Sequence, residues 1–309
     1  MAEPVVRVEH LTVEYKKRLG QPAQRAVRDL SFDVFEGEVV GFLGPNGAGK
    51  SSTIKAMMGF LFPRTGRITI LGHPAGSMRA KRDVGYLPEV ALYYPFMKAR
   101  ELLQLYGGLS EIPRPELEQR IAHAIDMVGL AGRERALLKT YSKGMQQRLG
   151  IAQALIGDPQ LLILDELASG LDPLGRRDLR RILRALQQEG KTIFFSSHEL
   201  SEVEMLCDRI VIINRGRKVL ESSLEELVRP LAGFQITFKN GQEMPPLPHA
   251  PEKLSDGTWR LHLGPQDNPH TVLRDLVLAN VEITEFRGER GSLEDHFVRI
   301  IQEDDAHSA

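Results

Sequence analysis

The residues best suited to chemistry form one run: Gly44, Pro45, Asn46, Gly47, Ala48, Gly49, Lys50 and Ser51, with Ser52 after it. They match G-x-x-x-x-G-K-[ST] at every fixed position. The chemistry this spacing serves is the holding of a triphosphate. Glycines let a tight loop turn its N–H groups toward phosphate oxygens. A helix starting at Lys50 adds the partial positive charge of its N-terminus. The Lys50 ammonium reaches the β- and γ-phosphates, and the Ser51 hydroxyl is a ligand for Mg²⁺. The plain alternative is a Gly-rich turn with an exposed lysine. The context speaks against it, because Val39–Leu43 is a continuous apolar run directly before the loop, the pattern of a strand buried on both faces.

A second candidate cluster is Asp165-Glu166, which ends another short apolar run, Leu161–Leu164. Strand ends in open α/β sheets border the ligand crevice. In that position Asp165 would hold Mg²⁺, directly or through water. Glu166 would orient and polarise an attacking water as general base. Adjacent carboxylates at a strand end are commonly just solvated, and it is the phosphate loop in the same chain that gives this pair a functional reading.

The elements that must position these residues follow from hydrophobic periodicity. Val5–Tyr15, Leu30–Phe35 and Arg67–Leu71 alternate as strands, and 16–26 reads as an exposed loop. A helix is expected from Lys50 to about Leu61. From about Met97 to Ile156 the period becomes helical, over Ala99–Gly107, Pro115–Val128 and Gly144–Ile156. This stretch is a helical insertion in an α/β core. The core resumes at Leu161, continues through a helix Arg176–Gln188 and a strand Thr192–Ser196, and closes with a hairpin turned at Arg215-Gly216. The expected fold class is therefore α/β, with residues 1–229 as one domain and 230–309 as a small α/β appendage of strand, strand, helix, strand, helix order. Pro245, Pro246, Pro248 and Pro251 rule against a regular element among them, and the tail Glu303–Ala309 reads as frayed.

With these motifs in order, the chain resembles the ABC ATPase family, from about Val5 to Leu220. Ser142-Lys143-Gly144-Met145-Gln146-Gln147-Arg148 is similar to the family signature L-S-G-G-Q, Ser169-Gly170-Leu171-Asp172 to its D-loop, and Gly85-Tyr86-Leu87-Pro88-Glu89 to its Q-loop region. His198 stands where the family places a switch histidine, and Tyr15 where it places the aromatic that stacks on adenine. The resemblance implies a P-loop ATPase fold, ATP and Mg²⁺ as ligands, and catalytic roles for Glu166, His198 and Lys50. It adds Glu89 to Ser51 and Asp165 as a metal contact. It places Ser142 and Gly144 at the nucleotide of a second copy, in a dimer, and makes Asp172 a further nucleotide contact. Each has a plainer reading: Ser142 as a helix N-cap, Asp172 as a turn before Pro173, His198 as an ordinary structural histidine, Tyr15 as a strand aromatic. The chain departs from the family at Glu89, where glutamine is usual, at Tyr141 and Lys143 within the signature, and at Leu167-Ala168 after the acidic pair.

Composition bounds the partners. The formal charge is −1, from 40 basic and 41 acidic residues, so nucleic acid is not expected as the main partner. The single cysteine, Cys207, excludes an intrachain disulfide. No apolar run approaches the roughly 20 residues that span a bilayer. Transport would then need a separate polytopic membrane subunit, with this chain cytoplasmic and peripheral on the inner face of the membrane. Gly291–Phe297 resembles a segment near the end of the ATPases of small bacterial exporters, and its plainer reading is an amphipathic surface helix that closes the appendage. The runner-up is a non-transport ABC ATPase that regulates a cytoplasmic complex. The usual ribosome-acting kind has two nucleotide modules and the DNA-end kind long heptad coiled coils, and this chain has one module and no heptad run.

Overall fold

The structure is a computed structural model. It describes residues 3–15, 24–167, 170–228, 233–239, 245–255, 257–264, 266–289 and 293–307. In chain order the first elements are β1 (Val6–Tyr15), β2 (Gln24–Val34), β3 (Val39–Leu43), α1 (Lys50–Met57), β4 (Thr65–Ile70), β5 (His73–Pro74), α2 (Met78–Arg82) and β6 (Val84–Leu87). The helical insertion holds α3 (Ala99–Leu109), α4 (Arg114–Met127) and α5 (Lys143–Leu155). Then come β7 (Leu161–Leu164), α6 (Pro173–Gln188), β8 (Thr192–Ser197), α7 (Leu200–Leu206), β9 (Arg209–Asn214), β10 (Arg217–Ser223) and α8 (Leu224–Val228). The last are β11 (Gly233–Lys239), β12 (Glu252–Lys253), β13 (Thr258–Leu263), α9 (Pro269–Leu278), β14 (Ile283–Glu289) and α10 (Leu293–His307).

The central sheet has the order β10-β9-β3-β8-β7-β6. Strands β9, β3, β8, β7 and β6 are parallel, and β10 returns antiparallel through the hairpin. Every residue of β3, β7 and β8 is buried, which is why β3 and β7 read as unbroken apolar runs rather than alternating ones. A second, antiparallel sheet of order β2-β1-β4-β5 alternates buried and exposed residues. Its buried side joins the core cluster of the central sheet. Phe32 of β2 stacks on Phe194 of β8 with centroids 5.6 Å apart, and Phe42 of β3 lies 5.3 Å from Phe194.

Several boundaries differ from the sequence reading. Residues 16–23 lie outside the described residues, but Gln24–Ala26 are strand rather than loop, because β2 pairs with β1 as far as Gln24 opposite Tyr15. Helix α1 stops at Met57, and Gly59 follows in the left-handed region at φ 73°. The polar tail does not fray at Glu303, because α10 continues to His307. The sequence reading divides the chain at 229–230. By its contacts the chain forms one unit of 1–224 with 300–309 and another of 225–299.

The second unit is an antiparallel sheet of order β12-β13-β11-β14. Val272 and Leu276 of α9 pack with Ile236, Phe238, Leu261 and Leu263. Asn268 caps α9, its Oδ1 accepting from the N–H groups of His270 and Thr271. No helix or strand occurs from Pro245 to Pro251.

Helix α5 lies so close to β6 that a Cβ at Gly85 would sit 2.3 Å from Ala154 O and 2.7 Å from Leu162 Cδ2. Gly85→Ala is expected to destabilise the protein by roughly 1–3 kcal/mol through overpacking. Urea unfolding checks this, and an unchanged midpoint would mean that the seam has slack.

Candidate functional site

Three parallel strands end side by side at the site. Leu43 is level with Ser197, and Leu164 with Phe195. The segments that follow β3, β7 and β8 therefore meet, and they carry the phosphate loop, the acidic pair and His198. Gly47 (φ 81°) and Gly49 (φ 111°) take left-handed backbone, which glycine adopts without strain. Gly49 is the N-cap of α1 and no side chain caps it, so the first N–H groups of the helix face the loop. The loop is wedged tightly, since a Cβ at Gly44 would lie 2.3 Å from Ile213 O and one at Gly49 2.4 Å from Ala26 O.

Lys50 is buried at 6% exposure. Its ammonium donates to Gly44 O at 2.7 Å and lies 3.1 Å from Glu166 Oε1. The other oxygen of Glu166, Oε2, takes a 2.5 Å contact from His198 Nδ1, and because a carboxylate only accepts, that nitrogen carries the hydrogen. Glu166 has φ 49°, an uncommon value for a non-glycine residue. Its N–H is held by Ser196 Oγ at 2.9 Å. The Ser196 hydroxyl donates to Asp165 Oδ1 at 2.6 Å, and the Ser51 hydroxyl approaches the same oxygen at 3.5 Å. Burial raises the Asp165 carboxyl above the usual aspartate range, with the Ser196 and Ser51 hydroxyls pulling the other way. The Tyr86 hydroxyl is pushed up to about 12, by burial first and then by the Asp165 charge.

A cavity of about 1150 Å³ opens over these groups. Tyr15, Asn46, Gly47, Gly49, Lys50, Ser51, Ser52, Glu89, Glu166 and His198 all line it. Gly44, Pro45 and Ala48 form the inner turns of the loop, and Asp165 lies beneath at 3% exposure. The Tyr15 hydroxyl lies 3.0 Å from Ser52 Oγ, and the residue is 40% exposed. The cavity lining does not include Ser142, Gly144 or Asp172. Ser142 caps α5, its Oγ accepting from Met145 N–H at 3.2 Å, and Asp172 caps α6 toward Gly175 N–H at 2.8 Å. Ser169 lies outside the described residues. The Lys143 ammonium points at Gly170, where an added Cβ would come within 2.2 Å of it.

The site includes residues the motifs did not single out. Ser196 joins Asp165 to Glu166, and its signal was a hydroxyl at the end of an otherwise apolar buried strand. Gln24, Arg28, Asn214, Arg217 and Asp304 also line the cavity, and no local motif marks them. The hairpin turn reaches the site through backbone: Gly216 N–H donates to Ala48 O at 2.8 Å and Gly216 O accepts from Arg28 N–H at 2.7 Å. Asn214 donates to Asp304 at 2.8 Å and to Asp305 at 2.9 Å.

The geometry agrees with comparisons to known proteins. A family model described as ABC transporter matches residues 27–169. An uncharacterized ABC transporter ATP-binding protein of Synechocystis sp. is 42% identical over 282 residues, 90% of this chain and 79% of that protein. The chain belongs to the family of ABC transporter ATP-binding proteins. The bacitracin transport ATP-binding protein BcrA of Bacillus licheniformis is 36% identical over 303 residues, 94% of this chain and 96% of that one. A solved ATP-binding subunit of an ABC transporter superposes with a TM-score of 0.64 at 32% identity, over 73% of this chain and 92% of that chain. The α/β cassette fold and the ATP-binding subunit class inferred from the motifs are thus supported.

Among the described residues no group of three His, Cys, Asp or Glu side chains could hold a metal by itself. A divalent cation at a triphosphate needs fewer protein ligands, because phosphates and water complete its shell. Ser51 Oγ and Asp165 Oδ1, hard oxygen donors in contact, fit that requirement. Ser196→Ala removes the acceptor of Glu166 N–H and the main donor to Asp165, and leaves a buried N–H unpaired. The expected loss is roughly 1–3 kcal/mol of stability, read as a lower denaturant midpoint, and a midpoint equal to wild type would discount this bridge.

Proposed function

We propose that the chain hydrolyses ATP with Mg²⁺ and that this powers export through a separate, polytopic membrane subunit. The observation that carries hydrolysis is the Lys50–Glu166–His198 cluster on the phosphate loop. A triphosphate in the cradle competes with Glu166 for the Lys50 ammonium. Released from Lys50 but still held by His198, the Glu166 carboxylate takes a proton from a water as that oxygen bonds to the γ-phosphorus. The bond from the γ-phosphorus to the β–γ bridging oxygen breaks, and its electron pair leaves with ADP. Ser51, Asp165 and Glu89 would hold Mg²⁺, directly or through water, and the ion would supply charge neutralisation on the phosphates. Tyr15 offers a ring face for adenine.

Ser142, Gly144 and Asp172 are the residues left over by the cavity of their own chain. They serve the nucleotide of a second copy in a head-to-tail pair, where the start of α5 points its N–H groups at the γ-phosphate. Docking of the membrane subunit falls to the segment after Glu89, where Val90, Leu92, Tyr94 and Phe96 are exposed apolar residues in close succession. Tyr94 and Phe96 stand with ring centroids 5.9 Å apart. Tyr93 is not part of that surface: burial pushes its hydroxyl well up, and it packs under Gly150. Export and an inner-face location are favoured by the resemblance of 291–297 to exporter ATPases and by the likeness to a bacitracin transport protein. No described helix is long and apolar enough to cross a membrane. Residues 291 and 292 of that segment lie outside the described ones. A non-transport role in a cytoplasmic complex is the competing reading. Recovery of soluble assemblies instead of a multi-span membrane protein in a pull-down would favour it.

Glu166→Gln keeps the shape of the base and removes its charge. ATP binding is expected to persist while turnover falls about 10²- to 10⁴-fold. Lys50→Ala is expected to weaken binding and turnover together, and wild-type hydrolysis by either variant would end the assignment. A cysteine at Tyr94 is expected to cross-link to the membrane subunit in the assembled transporter, and capture only from cysteines placed in 245–289 would move the docking surface there.

A further inference from the structure

The sheet of the second unit has two unlike edges. One is β12, only two residues long, the kind of short edge strand that resists pairing with other chains. The other is β14, seven residues long, with β11 as its only strand partner among the described residues. Thr284, Glu285, Phe286 and Arg287 are all exposed on it. The register of β14 on β11 slips at Thr284, so the regular segment is Glu285–Glu289. An open strand of this kind presents unpaired N–H and C=O groups to a further strand.

The sequence of the strand specifies which further strand fits. Two copies of β14 related by a two-fold axis run antiparallel, so a register is fixed by the residue at the axis. With Phe286 at the axis, Phe286 faces Phe286, Glu285 faces Arg287 twice, and Thr284 faces Gly288. Opposite charges and aromatic pairs directly across a ladder are stabilising. A centre at Arg287 would face Arg287 with its own copy, and a centre at Glu285 would face Glu285 with its own copy, in each case a like-charge pair at the axis. Of these registers, the one centred on Phe286 sets two Glu285–Arg287 pairs beside an aromatic pair. The side chains are ready for it. Glu285 and Arg287 share a face, 3.7 Å apart, and Phe286 is on the other face, stacked on Phe234 at 5.3 Å.

We propose that β14 is a self-association edge: two copies of the chain join their second-unit sheets through antiparallel β14–β14 pairing centred on Phe286. It deepens the dimeric part of the proposed function, but it does not use the nucleotide site. The partner is a second copy of this chain, and the contact forms without ATP.

The test uses the full chain without nucleotide, on a Lys50→Ala background to silence the cassette, and measures self-association by sedimentation velocity. Wild-type β14 is expected to give a concentration-dependent dimer. Glu285→Arg puts two like-charge pairs at the seam and is expected to weaken it about tenfold. Arg287→Glu does the same from the other side. The double swap, Glu285→Arg with Arg287→Glu, restores both pairs and is expected to return the constant to within about threefold of wild type. The swap is tolerable for the fold, because Gln235, which now holds Arg287 through Oε1, has a buried Nε2 with no partner among the described residues that a glutamate can accept from. In the same protein a cysteine at Phe286 is expected to cross-link to its own copy with a short bismaleimide. A cysteine at Thr284 is not, because four residues of slip place it about 14 Å from its counterpart. A monomer at all concentrations, single variants with unchanged association, or a swap that fails to restore it would each overturn the proposal. ATP hydrolysis lost in Glu166→Gln but intact in Glu285→Arg would separate the fate of this edge from that of the catalytic reading.

Discussion

The Lys50 ammonium is the charge around which the first unit is arranged. A cation at 6% exposure is costly unless it is paired and hydrogen-bonded. Its partners come from two strands that are not neighbours: Gly44 O follows β3, and Glu166 follows β7. Strand β8 lies between them, level with both. The parallel register of three fully buried strands is thus what keeps the Lys50 ammonium and the Glu166 carboxylate within 3.1 Å of each other. The Phe32, Phe42 and Phe194 rings lock that register from below, by packing the antiparallel sheet onto β3 and β8. A shift of one residue in β8 would turn Ser196 away from Asp165 and Glu166, because side chains alternate between faces.

Much of this was legible in the sequence, for a physical reason. A phosphate loop is local: its glycines, lysine and serine must be consecutive, and the strand before it must be apolar because it is buried on both faces. The same held for Leu161–Leu164 with its two carboxylates, and for the helical period of α3, α4 and α5. What was not legible depends on chain segments far apart. Ser196 shows its use only when β8 is set beside β7. Asn214, Arg217 and Asp304 border the cavity because the hairpin turn is hydrogen-bonded to Ala48 and Arg28. The length of α10 was missed for a similar reason. A polar tail has no core-facing periodicity to announce a helix, but its aspartates meet Asn214 of β9, and that tertiary contact supports turns that composition alone would leave frayed.

Glu166 shows how the site carries strain and holds it. A non-glycine residue at φ 49° is costly on its own and persists where the surroundings fix it. Here its N–H is held by Ser196, one carboxylate oxygen by Lys50 and the other by His198. Three contacts from two segments, the start of α1 and the end of β8, define one conformation, and the contact with Lys50 is of a kind that a triphosphate could redistribute. Lys50 has a stronger attraction to phosphate than to one carboxylate, whereas the Ser196 bond is indifferent to charge in the cavity. On the proposed reading, binding would loosen the Glu166 carboxylate from its cation without releasing its backbone, the preorganisation that a general base needs.

The departures from the family pattern divide by where their charge is directed. Lys143, in place of the first glycine of the signature, is turned toward Gly170 of its own chain, so its ammonium lies beside the turn that leads to Asp172 and α6. Gly170 itself has φ 70° and no room for a side chain there, so lysine and glycine fit as a pair, a constraint that neither residue shows alone. Glu89 is different. It is exposed and lines the nucleotide cavity, where it adds a negative charge that glutamine would not. In a site that already holds Asp165 and Glu166, a third carboxylate opposes a bare triphosphate and favours one accompanied by a divalent cation. On the proposed reading, the substitution would tie nucleotide affinity more closely to the metal than the glutamine of the family pattern would.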